Sequence, residues 1–313
     1  MSFSFRVKNE LARINFKGNC CLKAELTAFI HMNGSLQITH SEIALVVHTE
    51  NPAVARRIFL FFKKIFAVNS HLLVKKKTRL KKNNMYLVKI SGKEMVQEIL
   101  LSLKIITREQ DLSGFNKKIA GEIIGKKCCR RAYLRGAFLS RGSISNPDTS
   151  YHLEIGAEYE EQAGEINFLL ESFDIEGKVI PRKSSYLVYL KDSHKILELL
   201  NVIGAHQGMF YFENVRILKE MRNNINRLVN CDTANLNKTV TAAVNQLESI
   251  RNISLEIGFE NIPNSLRQVA ELRIKYPQAT LQELGEMFTP PLSKSGVNHR
   301  MRKLEKMSKN IKK

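Results

Sequence analysis

Asn33 and Arg141 occupy the same place in two copies of one short pattern that lie 108 residues apart. The first copy, residues 20–36, reads CCLKAELTAFIHMNGSL; the second, residues 128–144, reads CCRRAYLRGAFLSRGSI. Six of the 17 positions are identical without a gap, so the chain contains a duplicated structural unit. Each copy reads as an apolar helix that stops at a Gly and runs into a strand. Both copies begin with a vicinal cysteine pair, Cys20-Cys21 and Cys128-Cys129, and Cys231 is the fifth cysteine. This arrangement does not make a disulfide framework. With no C-x-x-C and no H-E-x-x-H, the spacing also misses the zinc patterns. The cysteines read as small, reduced residues at the start of buried helices.

Further side chains with legible chemistry lie near residue 300. Thr280 caps a short helix that runs to Phe288, and Pro290 and Pro291 then break the hydrogen-bond ladder. Ser293 caps a second helix, Lys294 to about Lys306. Its apolar stripe is Val297, Met301 and Leu304, and its opposite side shows Lys294, Ser295, Asn298, His299, Arg302 and Lys303. Leu281, Leu284 and Phe288 are spaced to pack the first helix onto the second, with the small Gly285 easing close approach. This is the grammar of a helix-turn-helix, whose second helix offers its N-terminal side chains to a major groove. Arg302 suits a bidentate bond to guanine and Asn298 one to adenine, each worth about 1–3 kcal/mol of base discrimination. Arg300, Lys303 and Lys306 suit phosphates, which gives affinity that falls steeply with salt.

At 313 residues, 43% hydrophobic and 25% charged, the chain is long enough for two or three folded domains. Its net charge of +19 points to a polyanionic partner. Residues 52–93 carry twelve Lys or Arg and no Asp or Glu, whereas residues 143–177 carry nine Asp or Glu and no Lys or Arg. Residues 263–313 carry eleven basic and four acidic residues. The two repeats therefore have opposite electrostatics. Lys75, Lys76, Lys77, Arg79, Lys81 and Lys82 are candidates for non-specific contact with the DNA backbone, and the acidic second half is a candidate surface for a protein partner. Apolar runs such as residues 58–62 are far too short to span a bilayer. Arg6, Lys8 and Glu10 fall where a signal peptide would be apolar. No membrane association is expected, and the expected setting is cytoplasmic, at the nucleoid.

The elements that must position these residues follow from periodicity and caps. Residues 3–16 read as an amphipathic helix with Val7, Leu11 and Ile14 on one side. The first repeat helix carries Leu22, Leu26, Phe29 and Ile30 and ends at Asn33-Gly34, as suits a left-handed terminus. One or two strands follow within residues 36–48. Asn51-Pro52 then opens a helix that buries Val54, Ile58, Phe61, Phe62 and Ile65. Strands over 71–79 and 85–90 form a hairpin through the turn at 81–84, and a helix runs to Leu103. The second repeat retraces these steps: helix 128–140, strand 151–157, helix 160–173, strands 178–182 and 186–190, helix 193–203. The Asn-rich residues 214–253 read as one or two connecting helices, and a helix over 265–276 begins the last domain. The expected class is α+β, with two halves related by a pseudo-twofold axis and an all-α domain after them. The expected domains are 1–110 (first half with its N-terminal helix), 111–212 (second half), 213–262 (helical linker) and 263–313 (helix-turn-helix).

The repeat resembles the LAGLIDADG motif of homing endonucleases through Leu26, Ala28, Phe29, Ile30 and Gly34 in the first copy and Leu134, Gly136, Phe138 and Gly142 in the second. The resemblance implies two motif helices packed at the pseudo-twofold axis, with Ala28 and Gly136 suited to close contact. It also implies that the positions binding catalytic divalent metals are Asn33 and Arg141. A hard cation wants carboxylate oxygens; Asn offers one neutral carbonyl, and Arg brings a permanent positive charge. His31 and Leu139 stand where the motif often has another acid. The whole chain is similar to the WhiA family, through the paired motifs, MRN at 221–223, NRLVNC at 226–231, AN at 234–235, KTV at 238–240 and SKSGVNHR at 293–300. That similarity implies a degenerate homing-endonuclease scaffold joined to a C-terminal helix-turn-helix, and DNA binding without cleavage. It also implies roles in cell division, chromosome segregation or, in sporulating bacteria, developmental transcription.

The expected function is that of a non-catalytic regulator that binds double-stranded DNA sequence-specifically, with no cofactor and no bound metal. One rival is an endonuclease with residual metal-dependent activity, for which Glu154 or Glu158 would have to stand near Asn33 or Arg141. Another is an RNA-binding protein or scaffold.

Overall fold

The computed structural model describes residues 1–15, 18–39, 42–76, 84–107, 115–116 and 118–311. They form two compact units, residues 1–219 and 220–313.

The first unit is built twice on one plan. Helix α1 (Phe3–Leu11) precedes α2 (Asn19–Asn33), β1 (Gly34–Ile38), β2 (Ile43–Thr49), α3 (Pro52–Phe66), β3 (His71–Lys75), β4 (Met85–Ser91) and α4 (Lys93–Ser102). After one helical turn, α5 (Gly121–Ile124), the order returns as α6 (Lys127–Arg141), β5 (Gly142–Ile144), β6 (Leu153–Ala157), α7 (Glu160–Glu171), β7 (Lys178–Arg182), β8 (Ser185–Leu190) and α8 (Ser193–Ile203). Each half makes one antiparallel sheet, ordered β1-β2-β4-β3 and β5-β6-β8-β7. The repeat extends to the register: Gly34 faces Val47 in the first sheet, and Gly142 faces Ile155 in the second. Both partners are displaced by the same 108 residues.

The halves share one core, with α2 and α6 side by side at its centre. Leu26, Ala28, Phe29 and Ile30 of α2 are buried there with Leu134, Ala137 and Phe138 of α6. Alternate residues of the inner strands complete it, Leu45, Val47, Val88 and Ile90 from one sheet and Leu153, Ile155, Val188 and Leu190 from the other. A Cβ on Gly136 would lie 2.7 Å from the Glu25 carbonyl oxygen and 2.8 Å from the Ala28 Cβ. The missing side chain therefore sets how closely the two helices approach. Asn51 caps α3 through the amides of Ala53 and Val54, with Pro52 in the first turn.

Three local expectations change. Helix α1 stops at Leu11 rather than near residue 16, because Arg57 Nη1 donates to the carbonyls of Ala12 (3.2 Å) and Ile14 (2.6 Å). Helices α2 and α6 do not end in a left-handed residue, since Gly34 and Gly142 are extended, with φ of −84° and −77°. A Cβ at these positions would lie 2.4 Å from the Ile30 carbonyl oxygen and 2.3 Å from Phe138 Cδ2. Glycine there supplies room for the chain to pass directly from helix to strand. Strand β5 has only three residues, too few to show a period. The predicted hairpin turn, with Lys77, Arg79, Lys81 and Lys82, lies outside the described residues.

Helix α9 (His206–Glu256) is continuous over 51 residues, and all of its residues from 220 to 242 are exposed, including the six asparagines between Asn223 and Asn237. In the second unit, Ile250 and Ile253 pack with Leu266, Val269 and Ala270 of α10 (Asn264–Lys275), Leu284 of α11 (Leu281–Glu286), and Val297, Met301 and Leu304 of α12 (Lys294–Ile311). Among the described residues no helix is long and apolar enough to cross a membrane.

Candidate nucleic-acid interface

Asn33 and Arg141 are the last residues of α2 and α6, and the fold brings them into contact. Arg141 Nε donates to Asn33 Oδ1 at 3.0 Å, and Arg141 Nη2 donates to Glu158 Oε2 at 3.3 Å. The Asn33 amide donates to the Ser140 carbonyl at 3.5 Å. A cleft of about 460 Å³ opens here, lined by Lys8, Asn33, Glu50 and Ser140 among others. Burial lowers the Lys8 ammonium to about 8 against the opposing pull of the Glu50 carboxylate, so Lys8 is still mostly charged at neutral pH. Glu154 is engaged with His152 at 3.3 Å and Arg182 at 3.5 Å. These residues do not fit a divalent cation, because Arg141 and Lys8 place positive charge where anions would be needed.

Deeper between the helices, His31 Nδ1 and the Tyr133 hydroxyl are 2.9 Å apart, and the His31 carbonyl accepts from Gln162 Nε2 at 3.0 Å. Burial pushes His31 down to about 4. Burial, with the charge of Glu165 adding to it, raises Tyr133. The contact is thus between two neutral groups. Further along, Glu25 is fully buried and accepts both Arg57 Nε (2.6 Å) and Arg57 Nη2 (3.1 Å), with Arg135 Nη1 at 3.4 Å. Sequence reasoning passes over this triad. Its signal is a set of charged residues on otherwise apolar helices.

At the opposite ends of α2 and α6, the sulfurs of Cys20, Cys21, Cys128 and Cys129 all lie within 4.8 Å of one another. Spacing along the chain sets these residues aside as packing residues, but the fold makes them one cluster. Burial, with the neighbouring sulfurs adding to it, pushes Cys21 and Cys129 up to about 12. For Cys20, burial is outweighed by hydrogen bonds from Cys129, Cys21 and Cys128, and its thiol is lowered. The legible signal was that both repeats open with the same vicinal pair, so a pseudo-twofold axis doubles it.

In the second unit, Thr280 and Glu283 make a capping box: Thr280 Oγ1 accepts from the Glu283 amide at 3.3 Å, and Glu283 Oε2 accepts from the Thr280 amide at 2.7 Å. The turn that follows is tight. A Cβ on Gly285 would lie 2.2 Å from the Leu292 carbonyl oxygen, and the Leu292 amide donates to the Gly285 carbonyl at 2.9 Å. Ser293 Oγ accepts from the Gly296 amide at 3.2 Å and so caps α12. Val297, Met301 and Leu304 are buried, while Lys294, Ser295, His299, Arg302 and Lys303 are exposed and Asn298 is half-buried. Arg300 is turned inward: its guanidinium sits 5.5 Å from the centre of the Phe288 ring, and its Nη1 donates to the Ser265 carbonyl at 3.4 Å. In the first unit, Lys75 and Lys76 are exposed at the end of β3.

Comparison with known proteins follows this division. Residues 19–106 match the WhiA N-terminal LAGLIDADG-like domain, residues 130–222 the WhiA LAGLIDADG-like domain, and residues 225–308 the WhiA C-terminal HTH domain. The probable cell division protein WhiA of Alkaliphilus metalliredigens is 47% identical over 309 residues, covering 98% of each chain. The protein of the same name from Natranaerobius thermophilus is 49% identical over 311 residues, 99% of this chain and 96% of that one. The crystal structure of full-length DUF199/WhiA from Thermatoga maritima aligns over 99% of both chains at 26% identity, with a TM-score of 0.61. With a duplicated scaffold, a helix-turn-helix unit and this identity along nearly its whole length, the chain belongs to the WhiA family.

Proposed function

We propose that this protein is a non-catalytic, sequence-specific DNA-binding regulator acting in cell division and chromosome segregation, and that it works at the nucleoid. The observation that carries this reading is the surface of α12. A buried stripe of Val297, Met301 and Leu304 fixes the helix, and Lys294, Ser295, His299, Arg302 and Lys303 stand exposed on its other side. That arrangement suits a recognition helix in a major groove. Asn298 and Arg302, one turn apart, are the base-reading pair in this proposal. Lys294, Ser295, His299 and Lys303 take phosphates, and Arg300 braces α12 on Phe288. Lys75 and Lys76, with Lys77, Arg79, Lys81 and Lys82, add sequence-independent contact. The acidic second half turns away from DNA and receives a protein. The closed contact of Arg141 with Asn33 and Glu158 supports the absence of cleavage.

The test is a gel shift with the full chain on a genomic fragment that it selects. Arg302→Ala lowers affinity about 5- to 150-fold and relaxes preference at one base, while Lys303→Ala weakens selected and random duplexes alike. Undiminished selectivity in an Asn298→Ala/Arg302→Ala double variant overturns the reading. Nicking of supercoiled plasmid in Mg²⁺ or Mn²⁺ that disappears when Asn33 is changed would restore the endonuclease alternative.

A further inference from the structure

We propose that Cys20, Cys21, Cys128 and Cys129 form a tetrathiolate site for a single zinc ion, which fastens the two halves of the first unit at the N-terminal ends of their central helices. The first ground is geometry. Zinc holds four thiolates tetrahedrally at about 2.3 Å, which separates neighbouring sulfurs by about 3.8 Å. The four sulfurs here lie within 4.8 Å of one another, and those of Cys128 and Cys129 are 3.9 Å apart. None of the four is in a disulfide. A small contraction around one ion completes the site without moving either helix.

The second ground is position. The cysteines are the second and third residues of α2 and of α6, so the positive ends of two helix dipoles converge on the sulfurs. Neither helix has a side chain capping its first amides: the cap positions are Gly18 and Lys126, with no side-chain hydrogen bond. Those amides are the donors that a coordinated thiolate accepts from. Lys126, Lys127, Arg130 and Arg131 flank the second pair in sequence and offset the charge of a zinc held by four thiolates. On binding, four S–H bonds are replaced by four Zn–S bonds and up to four protons pass to solvent; nothing is oxidised or reduced. Symmetry makes the site complete, since each half supplies one vicinal pair and neither half alone has a ligand set.

The experiment uses the full chain purified under reducing conditions without chelator. Elemental analysis is expected to give one zinc per chain, and a thiol reagent to reach only Cys231 quickly until a strong chelator exposes the other four cysteines. Co²⁺ added to the metal-free protein is expected to give the intense visible absorption of tetrahedral thiolate coordination. The Cys20→Ser/Cys128→Ser variant should retain the far-ultraviolet dichroism of the parent and lose the zinc. Where that variant fails to fold, the cobalt spectrum of the unaltered chain decides. Five fast thiols with no metal, a mass lowered by disulfide formation among the four, iron with inorganic sulfide in place of zinc, or a cobalt spectrum of octahedral type each overturns the proposal.

Discussion

His31 spans α2 and α6 as a neutral ring. It is half-buried, its Nδ1 meets the Tyr133 hydroxyl at 2.9 Å, and its Nε2 is buried with no partner among the described residues. Its folded pKa of about 4 lies below the ordinary value of 6.5. Between these two values the unfolded chain binds the proton and the folded chain does not. The stabilisation is therefore fully present above about pH 6.5 and is lost as the pH falls toward 4. At pH 5 the loss from this residue is about 2 kcal/mol. Urea denaturation at pH 7 and pH 5 is expected to show a decrease of that order, and His31→Gln to flatten it. An unchanged pH dependence in the variant would place the acid sensitivity elsewhere. Glu25 is held differently. Fully buried, it accepts hydrogen bonds from Arg57 and Arg135, and removing it would leave two guanidiniums facing each other in the core.

Helix packing here is decided by which glycines have neighbours. Gly136 of α6 abuts the backbone of α2, with the Glu25 carbonyl oxygen 2.7 Å from where a Cβ would sit. Gly164, in the exposed face of α7, has nothing within 4 Å. Two substitutions of one residue type therefore act in opposite directions. Gly136→Leu is expected to force α2 and α6 apart at a cost of about 1–3 kcal/mol. Gly164→Ala is expected to stabilise by about 0.5–1 kcal/mol through helix propensity. Chemical denaturation of each checks the pair, and equal effects would mean that the helix contact is not set by Gly136. The sequence announces such elements well where signals are local. Asn51-Pro52, Thr280 and Ser293 each place a helix start within the chain's own next few residues, and the structure uses all three. It announces poorly what distant segments do together. The end of α1 depends on Arg57, some 45 residues on. The partner of Glu25 in α6 lies 110 residues away. The cysteine cluster needs both repeats before any spacing rule applies. At Gly34, residue type pointed to a left-handed cap, but at Gly34 and Gly142 alike the steric demand of a helix running straight into a strand requires glycine for another reason.

The charge of the chain is distributed against its symmetry. A 108-residue displacement superposes the pairing of the first two strands, and strand order and helix order repeat, yet it maps the twelve cations of residues 52–93 onto a stretch that includes most of the acidic run at 143–177. A polyanion offered to this molecule meets basic surface from the first half and from α12, and acidic surface from the second half. Binding to a selected duplex by the full chain is accordingly expected to weaken by orders of magnitude between about 50 and 200 mM salt and to resist competition by an equal mass of RNA. Equal competition by RNA would favour the other polyanion. The contact of Arg141 with Asn33 and Glu158 also limits what one substitution can do at the ends of the central helices. An acid placed at position 33 alone would hand that guanidinium another counter-charge and shut the joint more firmly, because Arg141 already donates to residue 33. Two coincident changes, one in each central helix, would be needed before carboxylates from both helix ends could meet around a cation there.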